Sequence, residues 1–167
     1  MSEITIRAAQ TGDGRGIASL THDSANYYRE LAPDAFRRPD ERGQVEWIDS
    51  FLPIENESEI ALVAEIGGEV VGFVEARLEE PLKSARYQTD PTLSERRLFV
   101  NALLTARAYW RRGVGSALVA AVEAWGKENG ATVAVMDTYS ESPVSVPFWQ
   151  RLGYRTHALI MRKRLDQ

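Results

Sequence analysis

The chain contains no cysteine among its 167 residues. Disulfides, thiolate zinc sites, iron–sulfur clusters and a cysteine nucleophile are therefore excluded. It has only two histidines, His22 and His157, so a histidine-rich metal centre is not expected and no residue is assigned to a metal. Long apolar runs are also missing. The longest uncharged stretch in the most apolar region, Gly113 to Val122, is about half of the ~20 residues a membrane-spanning helix needs. The first ten residues lack a basic segment followed by an apolar one, so no secretory signal is expected. The net charge of −4 does not mark a nucleic-acid binder. These absences point to a soluble cytoplasmic protein that needs neither membrane nor nucleic acid.

What is present is ordinary globular composition, 44% apolar and 26% charged, over a length that suits one domain spanning residues 1–167. Alternation at Ile4 and Ile6 predicts a first strand over Glu3–Ala8. Ile17 and Leu20 start one or two helices that Pro33 ends. Residues Asp34–Gly43 read as a loop or an irregular helix. Val45, Trp47, Ile48, Phe51 and Leu52 recur at helical spacing; Trp47, Phe51 and Leu52 are expected to pack on the sheet, with lining of a ligand pocket as the alternative. Ile60–Ile66 and Glu69–Leu78 flank Gly67-Gly68, a hairpin signal. Glu79–Arg96 is a long polar loop, and Arg97–Ala106 another strand.

Val114, Ala117, Leu118, Ala121, Val122 and Trp125 form one continuous apolar helix face, stopped by Gly130. Thr132–Thr138 is a strand, Val146–Leu152 a short helix closed by Gly153, and Thr156–Leu165 a final strand. This order predicts an α/β (α+β) sandwich of helices on a mostly antiparallel sheet.

The segment from Leu103 to Trp125 carries the chemistry. A strand ends near Ala106, the turn Arg111-Arg112-Gly113-Val114-Gly115 follows, and an amphipathic helix begins. Glycines there let backbone approach a ligand, and the N–H groups and dipole of a helix start attract phosphate. Two arginines add charge-assisted contacts. The alternative is a sharp turn used only for close packing. The segment is neither a Walker loop nor a dinucleotide fingerprint.

Taken in order, the strand, Arg112-Gly113-Val114-Gly115-Ser116 opening a helix, the next strand, and Pro147-Phe148-Trp149-Gln150-Arg151-Leu152-Gly153-Tyr154 resemble the GNAT superfamily of acyl-CoA-dependent N-acetyltransferases. Ile6-Arg7, Ala9, Asp13, Ile17 and Leu20 look like that family's first strand and helix. The resemblance implies a mixed, mostly antiparallel sheet of six to seven strands, with helices on both faces and strands four and five splayed apart. It implies acetyl-CoA as cofactor, its pyrophosphate on the N–H groups of Arg111, Arg112, Gly113, Val114, Gly115 and Ser116. The pantetheine arm would pair with Leu103, Leu104 and Thr105, and Ser142 and Trp149 would complete the site.

Acetyl transfer to a small-molecule or peptide amine would follow, without a cysteine intermediate. Family members are often dimers, so a homodimer is a further expectation.

Some positions depart from that pattern. Trp110 replaces the turn's first Arg or Gln, and Arg107 a proline. Trp149 stands where many members carry an acidic tyrosine, and Asn101 where they carry a carboxylate. Glu75, with Asp137 behind it, becomes the candidate base, and Tyr139 the candidate acid. A non-catalytic acyl-CoA-binding or regulatory module, and a phosphate-binding domain unrelated to coenzyme A, stay open as alternatives. Substrate choice would lie in Asn26–Gly43 and Glu79–Arg96, where Glu79, Glu80 and Asp90 could attract a cationic acceptor.

Overall fold

Unbroken burial along the central hairpin, Ala61–Ala64 on one strand and Val71–Val74 on the other, shows that both of its faces are covered. In the computed structural model, which describes residues 3–165, β2 (Glu59–Ile66) and β3 (Glu69–Glu79) pair antiparallel across Gly67-Gly68. Phe73 and Val63 pack with Ile17, Leu20, Ile48 and Leu52. Those partners come from α1 (Gly14–Leu31), α2 (Gln44–Ser50) and the residues just after it. Gly72, one residue from Phe73, faces the other way, because successive strand residues point to opposite sides. A Cβ placed on it would come within 2.7 Å of Val114 and 2.8 Å of Leu118. Both belong to α3 (Val114–Glu128). Helices thus cover both faces, and only glycine at 72 lets α3 lie so close to β3.

The sheet runs β1-β2-β3-β4-β5, with β1 over Thr5–Ala8, β4 over Arg97–Thr105 and β5 over Val133–Met136. All neighbours are antiparallel except β4 and β5, which are parallel and joined through α3. The expected polar loop between β3 and β4 holds two short 3-10 turns, Ala85–Tyr87 and Pro91–Ser94.

One expectation fails. The sheet has five strands among the described residues, not six or seven, because Thr156–Leu165 adopts neither helix nor strand. Its apolar residues run consecutively from Ala158 to Met161 rather than alternating, and Leu159, Ile160, Met161 and Leu165 are exposed. Such a run gives no preferred face to bury. No described helix is long and apolar enough to cross a membrane.

The chain forms two compact units, residues 1–136 and 137–167. In the second, α4 (Ser145–Arg151) ends at Gly153 with Tyr154 N–H donating to Trp149 O. The Trp149 ring sits edge-on to Phe148 and Tyr154.

At the start of α1 no side chain of the preceding residue caps the helix. Asp49 on α2 instead accepts from the N–H groups of Gly12 and Gly14, each at 2.9 Å. Beside it, Arg7 holds the buried Asp13 by two guanidinium contacts, 2.8 and 2.9 Å, and Gln10 N–H adds a third. Burial alone would raise the Asp13 carboxyl, but the Arg7 and Gln10 hydrogen bonds and the Arg7 charge outweigh it and hold it below the usual range. A depressed carboxyl stabilises the fold above its unfolded value of about 3.9, and that stability is lost as pH falls through the folded value.

Thermal unfolding of the native chain is therefore expected to drop steeply below about pH 4. Asp13→Asn should lose about 2 kcal/mol at pH 7, since a buried carboxylate gives up its charge-assisted hydrogen bonds to the partly exposed Arg7. Its midpoint should then depend less on pH in the acid range.

Candidate functional site

Strand β5 accompanies β4 for only four residues. Arg97, Leu98, Phe99 and Val100 face Val133, Ala134, Val135 and Met136, after which β5 ends. Asn101–Thr105 therefore continue along β3 without a strand on their other edge. Ala106 N–H donates to Val71 O at 3.0 Å. By the alternation of an antiparallel ladder, Leu104 and Ala102 also turn their backbone groups toward β3. Leu103 and Thr105 then present theirs outward. Leu104, expected beside them on the pantetheine arm, has no outward backbone donor in this ladder.

The open edge leads to the turn before α3. Arg107–Tyr109 form a single 3-10 turn, Arg111 adopts a left-handed conformation (φ 62°), and so does Gly113 (φ 87°). Left-handed backbone at a non-glycine residue costs on the order of 1–3 kcal/mol and persists only where the surroundings impose it. No side chain caps α3, whose first backbone bond runs from Ala117 N–H to Gly113 O. Helix geometry leaves the N–H groups of Val114, Gly115 and Ser116 without intrahelical partners. Arg111 and Arg112 are exposed beside them. A Cβ added to Gly113 would meet no protein atom within 4 Å, so this backbone faces open space. Donors, dipole and cationic side chains together suit a phosphate.

Two residues that looked like departures from the family pattern brace this turn. Arg107 N–H donates to Asp23 at 2.6 Å, and its guanidinium makes a two-point contact with Glu30 at 3.1 and 2.9 Å. That contact, chiefly its hydrogen bonds, lowers the Glu30 carboxyl. Trp110 donates from its indole N–H to Thr105 O at 2.9 Å and packs edge-on to Tyr27 at 5.1 Å. Trp110 thereby occupies one of the outward acceptors of the open edge. Asp23, Tyr27 and Glu30 share one face of α1, at i, i+4 and i+7. That spacing is visible in sequence, but a partner about eighty residues away is not.

The candidate base and the candidate carboxylate replacement are brought together. The β3–β4 register slips between Glu75 and Ala76, leaving Asn101 as the extra residue. A bulge of this kind re-aims side chains. Asn101 donates through Nδ2 to Glu75 Oε1 at 3.1 Å and accepts from Arg77. Arg77 in turn reaches Glu79 at 2.7 Å. Glu75 thus stands on β3 with its carboxylate oriented by the amide of Asn101.

In the second unit, Asp137 is exposed. Tyr139 donates to Glu141 at 3.1 Å, a bond that pushes the phenol above its ordinary value and makes it a weaker acid. Ser142 is buried and its hydroxyl accepts from Ser145 N–H at 3.0 Å, near the start of α4. Trp149 is buried as well.

A five-stranded mixed sheet that parts between its parallel strands, with an uncapped helix start at the opening, is the GNAT fold. The acetyltransferase (GNAT) family profile matches residues 17–154, and the chain belongs to that family. It is 25% identical over 154 residues to the uncharacterized N-acetyltransferase YhfO of Bacillus subtilis (strain 168), covering 90% of this chain and 89% of that protein. Among solved structures, a Bacillus halodurans protein crystallised in mutant form superposes with a TM-score of 0.82 at 17% identity, over 96% of this chain and 99% of its own. The aminoglycoside N-acetyltransferase AAC(6')-Iy in complex with CoA gives 0.69 at 21% identity, over 100% and 97%.

Proposed function

We propose that this chain transfers an acetyl group from acetyl-CoA to a primary amine by direct attack. The observation that carries the reading is the uncapped start of α3 at the end of the open β4 edge. Those two features suit a ligand with a pyrophosphate at one end and an amide-bearing arm at the other. The N–H groups of Val114, Gly115 and Ser116, with the charges of Arg111 and Arg112, would hold the pyrophosphate; the Arg112 N–H is already bonded to Tyr109 O at 3.3 Å. The outward groups of Leu103 and the N–H of Thr105 would pair with the arm. When bound, coenzyme A supplies the acetyl carbon as a thioester.

The remaining chemistry falls to the protein's own groups. Glu75, oriented by Asn101, takes the proton that the acceptor must lose. The nitrogen lone pair forms the C–N bond as the C–S bond breaks. The proton given up by the nitrogen balances the one that the departing sulfur takes from solvent. No cysteine is present to carry the acetyl group, so a two-step route through a thiol is closed.

Calorimetric titration with acetyl-CoA, paired with a thiol-release assay over a set of primary amines, tests the reading. Saturable binding and amine-dependent thiol release are expected. Binding without release from any amine would replace the enzyme with an acyl-CoA-binding module. Nucleotide binding in the absence of coenzyme A binding would overturn the cofactor as well.

A further inference from the structure

On the sheet face covered by α1 and α2 lies a cavity of about 460 Å³, within the usual range for small-molecule sites. It is walled by Trp47 of α2, Phe51, Glu55, Asn56, Glu59 at the start of β2 and Glu75 of β3. Helix α2 buries Ile48 in the core yet leaves Trp47 64% exposed, stacked edge-on to Phe51 at 5.1 Å. The two rings leave an apolar wall of the cavity open to solvent.

Two of the carboxylates, Glu59 and Glu75, are oriented by asparagine side chains. Asn56 donates to Glu59 at 2.7 Å, and Ser58 N–H holds Asn56 at 3.0 Å. Glu75 is held by Asn101. Glu59 faces Arg77 across the β2–β3 pair, and Ala61 faces Glu75. Glu59 and Glu75 are therefore diagonal neighbours on one face, with backbones about 7–8 Å apart. Arg77 turns away to Asn101 and Glu79. Three carboxylates and no basic side chain line the cavity.

We infer that this cavity is the acceptor site, and that its substrate is a small amine bearing two cationic groups joined by a flat or apolar segment. The inference rests on the acetyltransferase reading. Glu75 lies next to Asn101, the first residue of the open β4 edge. An amine at Glu75 therefore stands beside the strand on which the thioester is proposed to lie. The second cationic group meets Glu55 and Glu59 at the far wall. The segment between them lies on Trp47 and Phe51, where ring faces also attract cations.

The test compares benzylamine with 4-(aminomethyl)benzylamine, which adds only the second cation. At low salt the diamine is expected to show a kcat/KM at least about tenfold higher, as steering and pairing of a second charge predict. Glu59→Gln should remove most of that preference, with the KM for acetyl-CoA unchanged. Equal values for the two amines, or a preference untouched by Glu59→Gln, with acetyl-CoA still bound, would overturn the inference and leave the transferase reading standing.

Should no amine be turned over, binding still decides the matter. Saturable quenching of indole fluorescence by the diamine, lost in Trp47→Ala and weakened in Glu59→Gln, supports the site. Absence of binding overturns it. Failure of acetyl-CoA to bind in calorimetry counts only against the transferase reading.

Discussion

Glu75→Gln is expected to lower kcat by about 10²–10⁴-fold, the usual contribution of a positioned base, with little change in the KM for acetyl-CoA. Glutamine keeps the length of the side chain, and its carbonyl oxygen still accepts from Asn101, so the bulge that shapes this part of β4 is preserved. What disappears is the capacity to take a proton. In the variant only the free-amine fraction in solution reacts. Its rate should therefore climb with pH, and the gap to the native chain should narrow toward the acceptor's own pKa. Steady-state rates over a pH series, read as a kcat-against-KM split, check this. A loss of only a few-fold at every pH would assign proton removal to water and leave Glu75 a charge that attracts the acceptor.

How far the site could be read in advance depended on whether its determinants were local. The hairpin at Gly67-Gly68, the amphipathic face of α3 and the turn at Gly113 are written within short windows of sequence, and each stands where those windows place it. The open edge of β4 was expected only through the family resemblance. It follows from β5 ending at Met136, four residues into the pairing, and no local pattern specifies where a strand loses its neighbour.

Arg107 and Trp110 illustrate the opposite case. Against a family pattern they read only as departures, because their partners on α1 are remote in sequence. In the fold they hold the turn before α3 from the side, through Asp23, Glu30, Tyr27 and the Thr105 carbonyl. Thr156–Leu165 failed for a related reason. Strand-forming residues do not make a strand without a partner, and partners are a property of the whole sheet.

Gly113→Val should weaken acetyl-CoA binding by about 100-fold, well beyond what backbone strain alone produces. Gly113 holds φ at 87°, where a side chain costs about 1–2 kcal/mol, so some loss of stability is certain whatever the ligand does. The thermal midpoint should fall by roughly 2–8 °C on that account. Gly67 supplies the control. It also has positive φ, 59°, and its added Cβ would likewise meet nothing within 4 Å, but it lies in the β2–β3 hairpin.

Gly67→Val therefore carries a similar strain with no ligand in front of it. Its midpoint should fall by a comparable amount while its affinity for acetyl-CoA stays native. At Gly113 the branched side chain instead fills the space before the free N–H groups of α3. Charge-assisted hydrogen bonds are worth about 1.5–3 kcal/mol each, so losing one or two accounts for the 100-fold. Titration calorimetry and thermal melts on the two variants give four numbers. If both variants lose stability and both keep native affinity, the phosphate does not sit at Gly113. If both lose affinity equally, the loss belongs to the fold and not to the turn.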